Sequence, residues 1–453
     1  MRLSELRVSP NVSCPEVVVI VPVFNSLPYL EDLCESLSWQ EYQGRKWVVF
    51  VDDGSSDGSV ELLEEIQIEG FAKTVLVQRH RGLSFARNRG LAWIAEAKPD
   101  FSGYVMFLDS DDFLSRNALQ AVCWEMKQNN LDQLFFGANV FFENEQLAKD
   151  FSSYSTYYER SGTYNGVFAG PEYMEECVRQ GDFIPNACMQ LLSYPFLEKH
   201  GIRFFEGIIH EDNLFTYTCL LFAERVAFLD KPLYQRRIRP NSIMTSHPLP
   251  ENVVGYFRCG EQALLMAPQT SSLKKGQREA FFSIVGTWFS AAADYLTVLG
   301  EEGNRRALNI LDARSELLYR QTVLARVVGR ESASRFAENA RTEGRSEGYE
   351  QARLELLQSK SFKIGRAITA IPRKLLGEVA ARRLSGSSDS ECMMSVFPRR
   401  FSTTCGGGSR VKKKEKTAIL RICLTFAFVC RIGILIVVQL KVLLNAVRWI
   451  VLN

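Results

Sequence analysis

Tyr104 to Leu108 is a short apolar run that stops at once in Asp109-Ser110-Asp111-Asp112. An apolar run of that length with no polar position reads as a strand covered on both faces. Trp47 to Val51 ends the same way, in Asp52-Asp53-Gly54-Ser55-Ser56-Asp57-Gly58-Ser59. Val17 to Val23 is a third such run, with Pro22 near its end, where a missing N–H does least harm to a ladder. Thr74 to Val77 supplies a fourth strand. Between these runs apolar residues recur at helical spacing: Leu30, Leu33, Cys34 and Leu37; Leu62, Leu63 and Ile66; Leu91 and Ile94. Strands alternating with helices predict an α/β fold, a mostly parallel sheet with helices on both faces. Ligands of such sheets sit outside the carboxyl ends of the strands.

The acidic strand ends gain meaning from that geometry. Carboxylates this close repel one another, so something positive must stand between them. Two carboxylates plus phosphate oxygens suit Mg²⁺ or Mn²⁺, hard ions that keep part of their water shell. The competing reading of Asp109, Asp111 and Asp112 is turn and cap chemistry ahead of a helix starting near Ser115. For Asp57 and Ser59 the cap reading is preferred.

Composition narrows the classes. The chain has 453 residues, 46% hydrophobic and 23% charged, with a net charge of +2, so no global field attracts nucleic acid. Its 11 cysteines form no Cys-x-x-Cys pair and meet only four histidines, which argues against zinc and against a disulfide framework. The first 16 residues lack the apolar core of a signal peptide. No G-x-G-x-x-G follows a strand and no G-x-x-x-x-G-K-[ST] occurs, which weakens the dinucleotide and P-loop readings.

Four motifs in order, VVVIVPVFNSLPYLEDLCESL, VVFVDDGSSDGS, GLSFARNRGLAWI and FLDSDDFL, resemble the nucleotide-binding half of family 2 glycosyltransferases of the GT-A fold. The resemblance is strong over about residues 17–115. It implies that Asp53 contacts the base of a nucleotide with Asp52 beside it. It implies further that Arg87 faces the nucleotide or its diphosphate, and that Asp109 and Asp111 form the Asp-x-Asp of a Mn²⁺ or Mg²⁺ site. Asp112 would ligate the metal or cap the next helix. Downstream, His210-Glu211-Asp212-Asn213-Leu214-Phe215 looks like the family's Glu-Asp-x-x-Phe motif. That likeness assigns Asp212 as the base for an inverting transfer, with Glu211 positioning acceptor or base. Leu233 to Ile243 resembles the family's closing strand and loop, where one of Arg236, Arg237 and Arg239 would neutralise the leaving group; Arg237 is the preferred one. Met189-Gln190-Leu191 stands where the family often carries a lysine.

These readings divide the chain into four parts. Residues 1–250 form the catalytic domain, with a nucleotide half over about 16–130 and an acceptor half over about 131–250. The tyrosine-rich stretch FSSYSTYYERSGTYNG within it is either a mobile lid or an edge hairpin. Residues 251–384 form a helical extension and 385–409 a Ser/Gly linker. Residues 410–453 carry a lysine-rich flank and an apolar run, Ile422 to Leu440, which spans a membrane or lies on it despite Arg431. The expected activity is sugar transfer from a nucleotide-sugar, with UDP the first choice, to a glycan or lipid-linked acceptor at the cytoplasmic side of the cell membrane. A nucleotidyltransferase and a catalytically silent scaffold of a membrane assembly are the alternatives; a glycoside hydrolase would need no nucleotide pocket.

Overall fold

The computed structural model describes residues 14–240, 242 and 245–329. The signal-peptide reading, the far part of the helical extension, the linker and the C-terminal tail lie outside the described residues. Eight strands and eleven α-helices appear among those described. In chain order they are β1 (Val17–Val23), α1 (Leu27–Ser38), β2 (Lys46–Asp52), α2 (Ser59–Glu65), β3 (Phe71–Val77), α3 (Leu83–Ala97) and β4 (Tyr104–Phe107). Next come β5 (Phe113–Leu114), α4 (Ala118–Asn129), β6 (Gln133–Phe142), α5 (Glu145–Asp150), α6 (Gly170–Gln180), β7 (Gln190–Ser193) and α7 (Tyr194–His200). The last are α8 (Glu211–Phe222), β8 (Val226–Ile238), α9 (Pro250–Leu265), α10 (Lys275–Ile310) and α11 (Ala313–Tyr319).

One mixed sheet runs β3-β2-β1-β4-β7-β6-β8-β5. The pairs β1–β2, β1–β4, β2–β3 and β6–β8 are parallel, and β7 joins the two halves antiparallel to β4 and β6. The α/β fold expected from the alternation of runs is the fold found. Val17 to Val21 have no exposed surface, as an unbroken β-branched run requires of a strand covered on both sides. Register brings the strand ends together. Val23 pairs with Asp52, and Leu108 N–H donates to the Ile20 carbonyl at 3.0 Å, so the residues after β1, β2 and β4 share one rim.

α3 packs on β1 and β2, and Gly90 permits the approach. A Cβ there would stand 2.5 Å from Ile20 Cγ2. Gly90→Ala is expected to lower stability by up to about 2 kcal/mol, a crowding cost of about 1–3 less about 1 for alanine's better helix propensity. A urea melt of the variant checks this.

Two differences from the sequence reading have local causes. The helix expected from Ser115 starts at Ala118, because Phe113 and Leu114 first pair with β8 as a two-residue strand. The tyrosine-rich stretch forms no hairpin among the described residues. It follows α5, runs through a 3₁₀ turn at Ser152–Thr156, and is held by Asp182 near its far end. Buried Asp182 accepts from Ser161 N–H at 3.0 Å and from Gly162 N–H and the Tyr164 hydroxyl at 2.7 Å.

α9 and α10 continue the core rather than hang from it. Phe257, Phe281, Val285, Trp288 and Phe289 are buried in one hydrophobic cluster with the sheet. α10 is long and apolar enough to cross a membrane, yet its inner face packs on α6 and α9, which marks a core helix.

Candidate active site

β5 sets the site. Phe113 pairs with Gln235 and Leu114 with Tyr234, so the carboxylates just before β5 meet the end of β8. Asp112 accepts from the Tyr234 hydroxyl, from Arg236 Nη1 at 2.7 Å and from Arg237 N–H at 2.7 Å. Asp109 accepts from Arg87 Nη2 at 2.7 Å and from Arg236 Nη1 at 3.0 Å. Arg239 Nε reaches Asp111 Oδ2 at 2.6 Å. Guanidiniums from α3 and from the end of β8 thus supply the positive charge that three crowded carboxylates demand. Burial works to raise the Asp109 carboxyl, but Arg87 and Arg236 hold it below its ordinary value. Buried Asp112 is pushed up to about 7 by desolvation in spite of Arg236.

Donor atoms decide how a divalent ion would fit. Ligand atoms of Asp109, Asp111 and Asp112 lie within 4.8 Å of one another. Both oxygens of Asp109 and both of Asp112 already accept hydrogen bonds. Among the described residues nothing donates to Asp111 Oδ1. The set fits an ion held chiefly by Asp111 and by oxygens of a bound ligand, the mode Mg²⁺ and Mn²⁺ favour.

A cavity of about 660 Å³ opens beside this cluster at the carboxyl rim. Phe24, Asn25, Asp53, His80 to Ser84, Asp109, Asp111, Arg236 and Arg239 line one side; Ile208, Ile209, Glu211 and Glu251 line another. Asp53 accepts from Gln78 Nε2 at 2.7 Å, Arg81 N–H at 2.9 Å and Gly82 N–H at 2.7 Å, and lies 2.9 Å from His80 Nδ1. It shapes the turn into α3 as well as the cavity wall. Phe24 stacks on His80 with centroids 4.1 Å apart. Ser84 Oγ is buried in the first turn of α3 without a partner in the described structure.

The other sequence-derived residues fall behind the wall. Asp52 is buried and accepts from Gly54 N–H at 3.0 Å and Ser55 N–H at 3.1 Å, a turn closed by its own carboxylate. Arg237 does not line the cavity: its guanidinium donates to the Asp111 carbonyl at 2.9 Å and to Asp32 at 2.7 Å and lies across the Tyr29 and Phe141 rings. The strand's alternation explains this: Tyr234 and Arg236 share the face toward Asp112, and Arg237 takes the other. Gln190, at the position where a lysine was sought, is buried and bonded to Gln133 and Thr216.

α8 presents the second acidic pair. Arg87 Nη1 donates to Glu211 Oε1 at 2.6 Å while its Nη2 holds Asp109, so one buried guanidinium joins the two acidic centres. Glu211 is pushed up to about 7 by burial, with Arg87 opposing. Burial raises the Asp212 carboxyl; Arg87 draws it down and Asp109 pushes it up again, leaving it above its ordinary value. Asp212 Oδ1 accepts from Asn213 N–H at 2.9 Å, and Oδ2 takes no hydrogen bond from the described residues. Trp288 Nε1 donates to Asn213 Oδ1 at 2.9 Å, so α10 helps to orient the carboxylate. Sequence reasoning missed Tyr234, Asn213 and Trp288; the i, i+2 spacing of Tyr234 and Arg236 was the available signal for the first.

His210 turns the chain into α8 with φ 68, a left-handed conformation rare for a residue with a Cβ. Its ring stacks on Tyr256 with centroids 4.1 Å apart and lies 3.2 Å from Asn252 Nδ2. Burial depresses its pKa from 6.5 to about 4. Between those values the unfolded chain binds the extra proton, so stability falls as pH drops through this window and is unaffected above it. From pH 7 to pH 5 the wild type should therefore lose about 2 kcal/mol that His210→Asn retains. Asparagine tolerates the left-handed turn and does not titrate. Parallel urea melts at the two pH values measure the difference.

Residues 18–175 match the family described as Glycosyl transferase family 2. The uncharacterized glycosyltransferase EpsJ of Bacillus subtilis is 32% identical over 232 residues, 51% of this chain and 63% of that protein. Glycosyltransferase GlyA of Streptococcus pneumoniae is 29% identical over 229 residues, 50% of this chain and 31% of that protein. Both matches span less than two thirds of the relative's length. Among solved structures, S. aureus TarS 1–349 with UDP-GlcNAc aligns at a TM-score of 0.49 and 19% identity, over 76% of this chain and 92% of that one. By its motifs in order and by this match, the stretch 18–175 belongs to glycosyl transferase family 2.

Proposed function

We propose that the chain is an inverting glycosyltransferase that moves a sugar from a nucleotide-sugar, UDP-linked in the first instance, to a hydroxyl of a glycan or lipid-linked acceptor. The observation that carries this reading is Asp212: a carboxylate with one open oxygen, raised pKa and fixed orientation, joined through Glu211 and Arg87 to the acidic cluster beside the cavity. In the reaction the acceptor oxygen forms its bond to the anomeric carbon while the bond from that carbon to the diphosphate breaks on the opposite face. The acceptor proton passes to Asp212 Oδ2 as the new bond forms. Arg236 and Arg239, both on the cavity wall, receive the charge of the leaving diphosphate. When bound, Mn²⁺ or Mg²⁺ supplies further positive charge there, and Asp111 with Asp109 beside it would hold the ion. The basic flank at 410–416 and the apolar run after it support placing the reaction at the cytoplasmic side of the cell membrane, in surface-polysaccharide synthesis.

The test is a panel of nucleotide sugars given to the full chain with Mn²⁺, Mg²⁺ or EDTA. Release of nucleoside diphosphate from one donor, lost with EDTA, is expected. Release of pyrophosphate would point to nucleotidyl transfer. No release, with no binding of UDP or GDP, would sink the proposal.

A further inference from the structure

The described structure carries a concentration of tyrosines that no step above uses. Tyr154, Tyr157 and Tyr158 follow one another after α5, with Tyr154–Tyr157 centroids 5.5 Å apart and Tyr157–Tyr158 centroids 5.0 Å apart. Tyr256 of α9 and Tyr295 of α10 lie 6.0 Å apart, and Tyr256 stacks on His210, two residues before Asp212. The two groups are neighbours: burial first, then the field of Asp212, raises the Tyr157 hydroxyl, and Tyr295 acts on both Tyr154 and Tyr157. Tyr256 feels Asp212 and Tyr157 in turn.

A core explains only part of this. Tyr158 is 7% exposed and packs as a core residue would, but Tyr157 is 49% exposed. No hydrogen bond within the described structure uses the hydroxyls of Tyr154, Tyr157, Tyr256 or Tyr295. Asp182 holds the far end of the segment that carries Tyr157. Aromatic faces with free hydroxyls, next to a carboxylate that must meet a hydroxyl, have a defined chemistry. A π-face is weakly negative and apolar. The C–H face of a pyranose ring is weakly positive and apolar, with hydroxyls at its edge for tyrosine oxygens to bond. A linear polyol has no such face, and a lipid chain has no use for the hydroxyls.

We propose that Tyr154, Tyr157, Tyr256 and Tyr295 form a saccharide subsite that seats the acceptor as a pyranose ring beside Asp212. The proposal rests on the transferase reading and adds to it the class of acceptor and the residues that select it.

Saturation-transfer NMR on the full chain tests it, with methyl glycosides of glucose, galactose, N-acetylglucosamine and mannose as probes and ribitol as the faceless control. At least one pyranoside should receive saturation on its ring protons where ribitol does not. Its binding should weaken about tenfold in Tyr157→Ala, the equivalent of one lost ring contact, and persist in Tyr157→Phe. Equal binding to wild type and Tyr157→Ala, equal signals from ribitol, or no pyranoside signal at all overturns the subsite. UDP and GDP with Mn²⁺, titrated into the same samples, separate the two failures. Nucleotide binding without a pyranoside leaves the donor reading standing and removes only the subsite; loss of both removes the reading beneath it.

Discussion

Asp212→Asn is expected to lower transfer by about two to four orders of magnitude while nucleotide binding stays at the wild-type level. The amide keeps the shape of the side chain and can keep the contact with Asn213 N–H, but its oxygen cannot take a proton from the acceptor. Asp111→Asn should behave differently. It removes the open oxygen that would hold a divalent ion and half of a 2.6 Å pair with Arg239, so transfer and metal-dependent nucleotide binding should fall together. The pH dependence adds a second reading of the same base. Glu211 is pushed up to about 7 and Asp212 is raised beside it, so the two titrate as a pair. The base works ionised, so transfer should rise with pH through an apparent pKa near neutrality that belongs to that pair. A flat profile from pH 5 to 8, or an Asp212→Asn variant with wild-type turnover, would remove Asp212 from the mechanism.

How much of this could be read from the chain alone depended on whether the signal was local. Val17 to Val21 and Tyr104 to Leu108 announce buried strands because every side chain along them is apolar, and their order with the helices fixes a parallel arrangement. Asp109 and Asp111 declare themselves because charge at the end of such a strand must be answered. What answers it was not local. The guanidiniums of Arg236 and Arg239 lie more than a hundred positions along the chain, and a two-residue strand pairing, Phe113 with Gln235, sets which of the clustered arginines reaches which carboxylate. Two residues carry no periodicity, so β5 left no pattern to find, and the choice of Arg237 over Arg236 followed from not knowing the face each occupies. Asp52 shows the converse. Its residue type and place match the family motif, yet its oxygens close a turn, a role that sequence allows equally well. Trp288 orients Asp212 only through Asn213, across a contact between α8 and α10 that spacing within either helix cannot reveal.

Arg87→Met should cost about 3–5 kcal/mol of stability at neutral pH, the largest single loss expected of any substitution considered for this chain. The side chain is 3% exposed and pairs with Asp109 at 2.7 Å and Glu211 at 2.6 Å, themselves 21% and 5% exposed. Methionine fills much of the volume but leaves Glu211 without its cation and Asp109 with Arg236 alone. Glu211, already at about 7 with the arginine present, moves higher without it. The variant's folded state then binds a proton that the unfolded chain has released, so its stability falls further as pH rises from the ordinary glutamate range toward the raised value. The deficit against wild type should accordingly shrink on going from pH 7 to pH 5, the reverse of the trend caused by His210. Removing the charge on both sides is a milder change than removing one, because no ion is left buried alone. Arg87→Met combined with Glu211→Gln should therefore regain part of the loss at pH 7 and show a weaker pH dependence. Urea melts of wild type, single and double variants at the two pH values decide the matter. A single variant within about 1 kcal/mol of wild type at pH 7 would mean that the bridge between the two acidic centres is exposed enough for water to take the arginine's place.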